Sequence, residues 1–415
     1  ASGVDYATFH TSIHSTLAKS LIKDKQQNIK LDLLLEVYSE IRMNTQENQK
    51  SIDDFINWVK EISDHVNSDF WSGEDVMGIF FNEFNRYKGK SESGQVFTPE
   101  HITSFMYRLI EVDKTDKVLD AACGSGGFLV KAMANMLKES GGINSDDAEI
   151  IKKERLYGIE FDRQLYALAC ANMLIHKDGK TNLEQLDTRT DEACEWIESK
   201  GITKVLMNPP FERKYGCIPI VKNVLDSVSA EFLYEFKLDK KTKKQRKVKK
   251  LRYTRKVKCA FILPDKKLEK DSSAKNLLKH HRLEKIIKLP ENLFLGEKTS
   301  IFIFTAGIPQ NNEEIFTCYI EDDGLESVKN QGRQDIRNKW SDLENKWVDI
   351  IHKQSGDDTI QWISPTEHLS YQIPAKPFEL FEEDFNETVM DYLMFETGVN
   401  KKDLSEKIAN KILYQ

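Results

Sequence analysis

Asn208-Pro209-Pro210-Phe211 and the glycine-rich run Asp120-Ala121-Ala122-Cys123-Gly124-Ser125-Gly126-Gly127-Phe128 are the stretches whose residue types and order can do chemistry. An aromatic amine has its nitrogen lone pair delocalised into the ring. Two carbonyl acceptors aimed at its N–H bonds localise that pair on nitrogen. Asn208 offers a side-chain carbonyl and Pro209 a backbone carbonyl. Proline has no N–H and a fixed φ, so Pro209-Pro210 makes a rigid turn that aims both acceptors. Phe211 suits stacking on a base, a contact worth roughly 1–3 kcal/mol per base. A plain Asn-Pro turn after a strand is the alternative.

A strand ending at Asp120, a glycine turn and a helix from about Phe128 would face backbone N–H groups toward a ligand. Gly124, Gly126 and Gly127 permit close approach and positive φ. The run is not G-x-G-x-x-G, and no phosphate-loop lysine follows, so a phosphate ligand is not favoured. A strand–turn–helix connection without a ligand stays open. Glu160, ending Tyr157-Gly158-Ile159-Glu160, can accept hydrogen bonds from both hydroxyls of a ribose. Asp187, in Leu186-Asp187-Thr188, suits an adenine amino group. Together these residues describe a nucleoside-cofactor site beside a site that handles an exocyclic amino group.

The elements that must position them read as α/β. Candidate strands are 118–121, 156–160, 204–207, 259–264, 283–289 and 301–305, alternating with helical patterns from about 95 to 320. That alternation predicts a parallel sheet with crossover helices, whose ligands bind at the carboxyl edge. Before it, residues 1–90 read as a helical bundle. Leu31, Leu34, Leu35, Tyr38 and Ile41, then Ile52, Phe55, Ile56, Val59 and Ile62, form apolar stripes at helical spacing. The polar run 88–94 marks a boundary. The expected domains are therefore 1–90, a catalytic domain over 91–325, and a C-terminal region over 326–415, irregular at first and helical from about Asp384 to Leu413.

Residues 237–258 carry about a dozen lysines and arginines and one acid. They read either as a solvated surface insertion or as an arm on phosphates. Both readings predict mobility.

Bulk properties set limits. With 415 residues the chain holds two or three domains. No apolar run approaches bilayer-spanning length, and no signal-peptide pattern opens the sequence. Six cysteines without a C-x-x-C pair argue against a zinc ribbon or disulfide framework and for a reducing cytoplasm; no metal is expected. A net charge of −7 is unusual for a protein that grips nucleic acid alone, although local basic patches matter more than the sum.

Asn-Pro-Pro-Phe after the glycine turn resembles the S-adenosylmethionine-dependent amino-methyltransferases of DNA. Gly94-Gln95-Val96-Phe97-Thr98-Pro99 looks like that family's first motif, and this motif order matches its gamma class. The helical N-terminus and Leu289-Pro290-Glu291-Asn292-Leu293-Phe294 are similar to the modification subunit of type I restriction–modification systems. The resemblance implies a Rossmann-like methyltransferase fold and methyl transfer to the N6 amino group of adenine. Site residues follow from it too. Phe97 would pack near the methionine part of the cofactor, with Thr98 and Pro99 beside it. The turn with Asp120, Ala122, Gly124, Ser125, Gly126 and Gly127 would hold the amino and carboxylate ends. Glu160 would take the ribose and Asp187 the adenine. Asn208, Pro209, Pro210 and Phe211 would form the catalytic turn. Implied partners are double-stranded DNA, a specificity subunit and a restriction subunit. The helical stretch 385–413 is either a contact with such a partner or a capping helix.

Ala121 stands where the family usually has proline, Gly296-Glu297-Lys298-Thr299-Ser300 is shorter and more charged than its counterpart, and the lysine-rich insertion replaces a plainer loop. The absence of a Pro-Cys dipeptide argues against cytosine C5 chemistry, which needs a thiolate nucleophile. Other readings stay in view: a protein glutamine methyltransferase, whose motif usually ends in tyrosine, a stand-alone adenine methyltransferase, and a cofactor-binding scaffold.

Overall fold

Successive residues of the central strands face two separate apolar cores, and that alternation sets the architecture. The computed structural model describes residues 11–12, 15, 49–80, 98–176, 182–211, 216–238, 245–291, 293–294, 297–328, 332–374, 382–400 and 402–407. Its strands are β1 (Val118–Asp120), β2 (Leu156–Ile159), β3 (Asn182–Glu184), β4 (Lys204–Met207), β5 (Ala230–Leu238), β6 (Gln245–Tyr253), β7 (Val257–Pro264), β8 (Arg282–Lys288), β9 (Thr299–Ala306), β10 (Ile315–Tyr319), β11 (Glu326–Val328), β12 (Gly332–Gln334) and β13 (Gln361–Ile363). The helices that bear on the site are α1 (Gln49–Val66), α2 (Glu100–Leu109), α3 (Gly127–Glu139), α4 (Arg163–Ile175), α5 (Asp191–Lys200), α6 (Cys217–Ser229) and α7 (Trp340–Lys353).

One nine-stranded sheet has the order β13-β10-β8-β9-β7-β4-β1-β2-β3. Val118, Leu206, Ala260 and Ile262 join the core built with α2, α3, α4 and α7. Their neighbours Leu119, Val205, Met207, Phe261 and Leu263 join the opposite core, built with α5 and α6. A period of two places adjacent residues on opposite faces, so strands covered on both sides must be apolar throughout. β9 shows this directly, with all eight residues buried.

The sheet is mixed, not parallel as the sequence suggests. β1 pairs in parallel with β2 and β4, and β4 with β7. β9, however, runs antiparallel between β7 and β8, and β13 antiparallel to β10. Lys288 at the end of β8 pairs with Ser300 at the start of β9. The link between them is too short for the crossover that parallel strands require. The boundary drawn at 325 also falls inside the sheet, because β13 completes it. The chain divides into two compact units at Tyr371 instead.

The basic insertion is an antiparallel hairpin in its described part, β5 pairing β6 from Ala230↔Tyr253 to Leu238↔Gln245. Lys249 pairs with Asp191 at 3.0 Å, Lys250 with Glu235 at 2.6 Å and Arg252 with Glu231 at 2.6 Å. These described cations are neutralised within the hairpin or by α5, which favours the surface reading over a phosphate arm for them.

Of the expected N-terminal bundle, the stripe from Leu31 to Ile41 lies outside the described residues. In α1, Phe55, Val59 and Ile62 are exposed, while Val66 is buried. The second unit contains α8 (Glu382–Glu396), with Phe385, Tyr392 and Phe395 exposed. All six cysteines are free and buried. Among the described residues no helix is long and apolar enough to cross a membrane, and no cluster of potential metal ligands occurs.

Candidate active site

The carboxyl ends of four neighbouring strands converge on one cleft. β1 ends at Asp120, β2 leads into Glu160, β3 leads toward Asp187, and β4 leads into Asn208. From β1 the chain moves to β2 and β3 on one side, then returns to β4 on the other. Such a reversal opens a crevice at the sheet edge.

The glycine turn forms one wall. Gly126 caps α3 with φ 91°, a left-handed conformation that side chains other than glycine rarely adopt. Its N–H donates to the Cys123 carbonyl at 2.7 Å, which closes the turn. Asp120 is 1% exposed and accepts from the Ala122 N–H at 3.1 Å. Glu160 accepts from the Gly124 N–H through Oε2 and from the Asp162 N–H through Oε1, both at 2.8 Å. Burial pushes the carboxyls of both Asp120 and Glu160 up in pKa. Each Glu160 oxygen keeps acceptor capacity for a ligand hydroxyl. Asp162 then caps α4, accepting from the Gln164 and Leu165 N–H groups, so the helix starts immediately behind the acid.

Asp187 lines the cleft but is already engaged. Arg189 donates to it from Nε at 2.8 Å and from a terminal guanidinium nitrogen at 2.6 Å, and these bonds hold its pKa below the ordinary value. The same guanidinium lies over the Phe161 ring, 5.9 Å from its centroid. A ligand amino group at Asp187 must therefore share the carboxylate with Arg189. Thr188, next in sequence, donates to the Ala121 carbonyl at 2.6 Å and ties this strand end to the glycine turn.

Asn208 forms the other wall. Its Nδ2 donates to Thr98 Oγ1 at 2.9 Å, while its Oδ1 is buried without a hydrogen-bond partner among the described residues. An unsatisfied buried acceptor costs about 1–3 kcal/mol, so its presence marks a place where a donor is expected to arrive. Phe211 packs edge-on against the buried Phe294, ring centroids 6.1 Å apart.

The cleft thus gathers Thr98, Asp120, Ala122, Gly124, Ser125, Gly127, Glu160 and Asp187 with Asn208, Pro209, Pro210 and Phe211. Gly126 shapes the turn without lining the cleft, and Pro99 serves as N-cap of α2. Thr98 touches Asn208 and lines the cleft, so it supports the Asn208 turn as well as the cleft wall. Phe97 lies outside the described residues. Sequence reasoning missed Asp75, Phe161 and Arg189, which also line the cleft. Phe161 carried a signal, a bulky apolar residue directly after the strand-end acid. Asp75 and Arg189 carried none.

A mixed sheet of this order, with this cleft at its point of reversal, defines an α/β methyltransferase fold. The chain belongs to the N-6 DNA Methylase family, whose model matches residues 73–399. It is 33% identical over 358 residues to the type II restriction enzyme and methyltransferase RM.BcgI of Heyndrickxia coagulans, covering 81% of this chain and 51% of that protein. It is 25% identical to the type I restriction enzyme EcoEI methylase subunit of Escherichia coli, over 58% of this chain and 49% of that one. The chain thus spans about half the length of these relatives. Among solved structures, a chain from a study of type I restriction–modification assembly matches with TM-score 0.59 and 17% identity, over 97% of this chain and 82% of that one. A modification subunit of a putative type I enzyme from Vibrio vulnificus YJ016 matches with TM-score 0.51 and 17% identity, over 81% and 64%. At these identities the structural likenesses carry the fold.

Proposed function

We propose that this chain methylates the N6 amino group of adenine in double-stranded DNA, as the modification subunit of a type I restriction–modification complex. The observation that carries the reading is the buried, unpartnered Asn208 Oδ1 beside an acid-lined cleft. When bound, S-adenosylmethionine supplies the methyl group and brings a cationic sulfonium and ammonium. The cleft suits that charge, because Asp75, Asp120 and Glu160 line it and accept their hydrogen bonds from neutral donors.

Asp120 and the turn to Gly127 shape the wall for the amino-acid part, Glu160 takes the ribose hydroxyls, and Asp187 faces the adenine. Target adenine must leave the duplex stack, at a cost of a few kcal/mol. Asn208 Oδ1 and the Pro209 carbonyl then accept hydrogen bonds from its amino group and localise the lone pair. Phe211 stacks on the ring. Holding the donor and acceptor in line supplies most of the acceleration, with no covalent intermediate on the protein. Thr98, by taking the Asn208 amide N–H, leaves the side-chain carbonyl for the base.

A specificity subunit supplies sequence recognition in this reading, and a restriction subunit completes the complex in a reducing cytoplasm. The 33% match to a protein that is both restriction enzyme and methyltransferase favours a second arrangement, the same chemistry within a combined protein. Nucleoside mass spectrometry on unmethylated DNA, with S-adenosylmethionine and with or without the neighbouring gene product, separates these. N6-methyladenine only with the partner is the expected result. Asn208→Ala should lower the transfer rate by about 10²–10³-fold while cofactor affinity is retained. A wild-type rate for this variant would exclude the role.

A further inference from the structure

Asp75 precedes the first strand of the sheet, in the segment between α1 and α2, yet it lines the cleft with Ser125, Gly127 and Thr98. Three parts of the chain hold its carboxylate. The Gly78 N–H donates to Oδ1 at 2.7 Å, and Asn172 Nδ2 of α4 donates to the same oxygen at 2.7 Å. The Ser125 hydroxyl of the glycine turn donates to Oδ2. Asn172, wholly buried, also donates to the Ser125 carbonyl at 3.0 Å, so turn, helix and aspartate form one network. Space has been left for this carboxylate. A Cβ at Gly78 would clash with Asp75 Oδ2, and one at Gly127 would stand 3.0 Å from it.

All three donors are neutral. Among the described residues no lysine or arginine is paired with Asp75, in contrast to Asp187. Burial pushes its pKa up. A carboxylate withdrawn from water without a counter-charge is costly, and a cationic ligand group removes that cost. The adenosine end of the cleft belongs to Glu160 and Asp187. Asp75 stands at the other end, against the glycine turn and the start of α3. Asp120, at 1% exposure and with an oxygen on the Ala122 N–H, is nearly closed to a ligand.

We infer that Asp75 is the anionic anchor for the ammonium of the cofactor's amino-acid part, a binding residue contributed from the segment that precedes the sheet. The inference rests on the S-adenosylmethionine reading above. It also gives the segment before the sheet a task in the site, since the glycine turn alone presents no accessible anion at that end.

Calorimetric titration of the full chain tests it, with Asp75→Asn, which keeps the shape and can still bond Ser125 and Gly78. The ligands are S-adenosylmethionine, S-adenosylhomocysteine and methylthioadenosine, which lacks the amino-acid part. The expected result is about tenfold or greater weakening for the first two, as for loss of a hydrogen bond to a charged group. Methylthioadenosine affinity should stay within about threefold, and the ligand-free melting temperature should hold or rise. Unchanged S-adenosylmethionine affinity overturns the inference. Equal weakening of all three ligands with a lower melting temperature also overturns it, making Asp75 a structural support. If Asp75→Asn does not fold, the wild-type protein decides by itself. S-adenosyl-3-thiopropylamine, which keeps the amine, should bind at least about tenfold more tightly than methylthioadenosine, and equal affinities overturn the proposal. A wild-type protein that binds none of these ligands removes the underlying cofactor reading instead.

Discussion

The carboxylate of Asp226 and the carboxylates that line the cleft have opposite electrostatic characters. Asp226 of α6 sits behind the hairpin, 5% exposed, and is fully compensated. Tyr253 donates to it at 2.6 Å, Lys222 Nζ at 2.5 Å and His281 Nε2 at 3.1 Å. His281 Nδ1 accepts from the Gly307 N–H, so the ring is the neutral Nε2–H tautomer. Burial alone would raise the Asp226 pKa, but these donors hold it at about 2. In the cleft, Asp75, Asp120 and Glu160 have only neutral donors among the described residues, and burial pushes all three up. A compensated carboxylate fastens β6 and the residue before β8 to a helix. Uncompensated acids in a cleft are candidates for meeting a ligand, and perturbed acids of that kind mark candidate sites.

The comparison breaks most visibly if Asp226→Ala weakens cofactor binding. Truncation leaves Lys222, Tyr253 and His281 without their acceptor, and removing one partner of a buried pair costs about 3–5 kcal/mol. Urea denaturation should show that loss, with cofactor affinity of the folded protein unchanged. Glu160→Gln should act mainly on binding. Cofactor affinity falls about tenfold by calorimetry, while stability falls by less than in Asp226→Ala, because only one backbone N–H, of Gly124 or Asp162, loses its acceptor.

The pH dependence of the two groups has opposite sign. Asp226 has a lowered pKa, so its contribution of about 2 kcal/mol is present above the unfolded value near 4 and is lost as pH falls toward 2. Glu160 has a raised pKa, so its contribution is full below the ordinary carboxylate value and is lost as pH rises through the raised one. Melting curves of ligand-free wild type should therefore lose more stability than Glu160→Gln as pH rises from 4 toward 7. The smallest effect belongs to the hairpin surface. Arg252→Ala, which removes an exposed pair with Glu231, should change stability by less than about 1 kcal/mol. A larger loss would mean that the hairpin's charges do more than solvate it.

Much of the site was legible in the sequence because chemistry dictates residue type at strand ends. Asn208 to Phe211 and Asp120 to Gly127 stand out from single windows, and apolar runs such as 204–207 and 301–305 mark the strands that carry or neighbour them. Three features were read less well. The reversed direction of β9 follows from the short link between the candidate strands 283–289 and 301–305, a constraint that the residue pattern of either strand does not carry. β3, with the half-buried Asn182 and Glu184 on either side of Leu183, lacks the apolar run that announced its neighbours. The hairpin pairing of β6 with β5 was hidden in a basic run, because the acids that pair with Lys249, Lys250 and Arg252 lie outside it on β5 and α5.

The sequence by itself determined the chemistry available: a carbonyl-rich Asn-Pro-Pro-Phe turn, a glycine turn, and strand-end acids, each encoded within a few adjacent residues. Only the tertiary structure decided which acids are compensated. Asp75 meets Ser125 and Asn172, and Asp226 meets His281, across long stretches of chain. Counter-charge is a property of neighbours in space, and in this protein it separates the aspartate that fastens a hairpin from the one that faces the cleft.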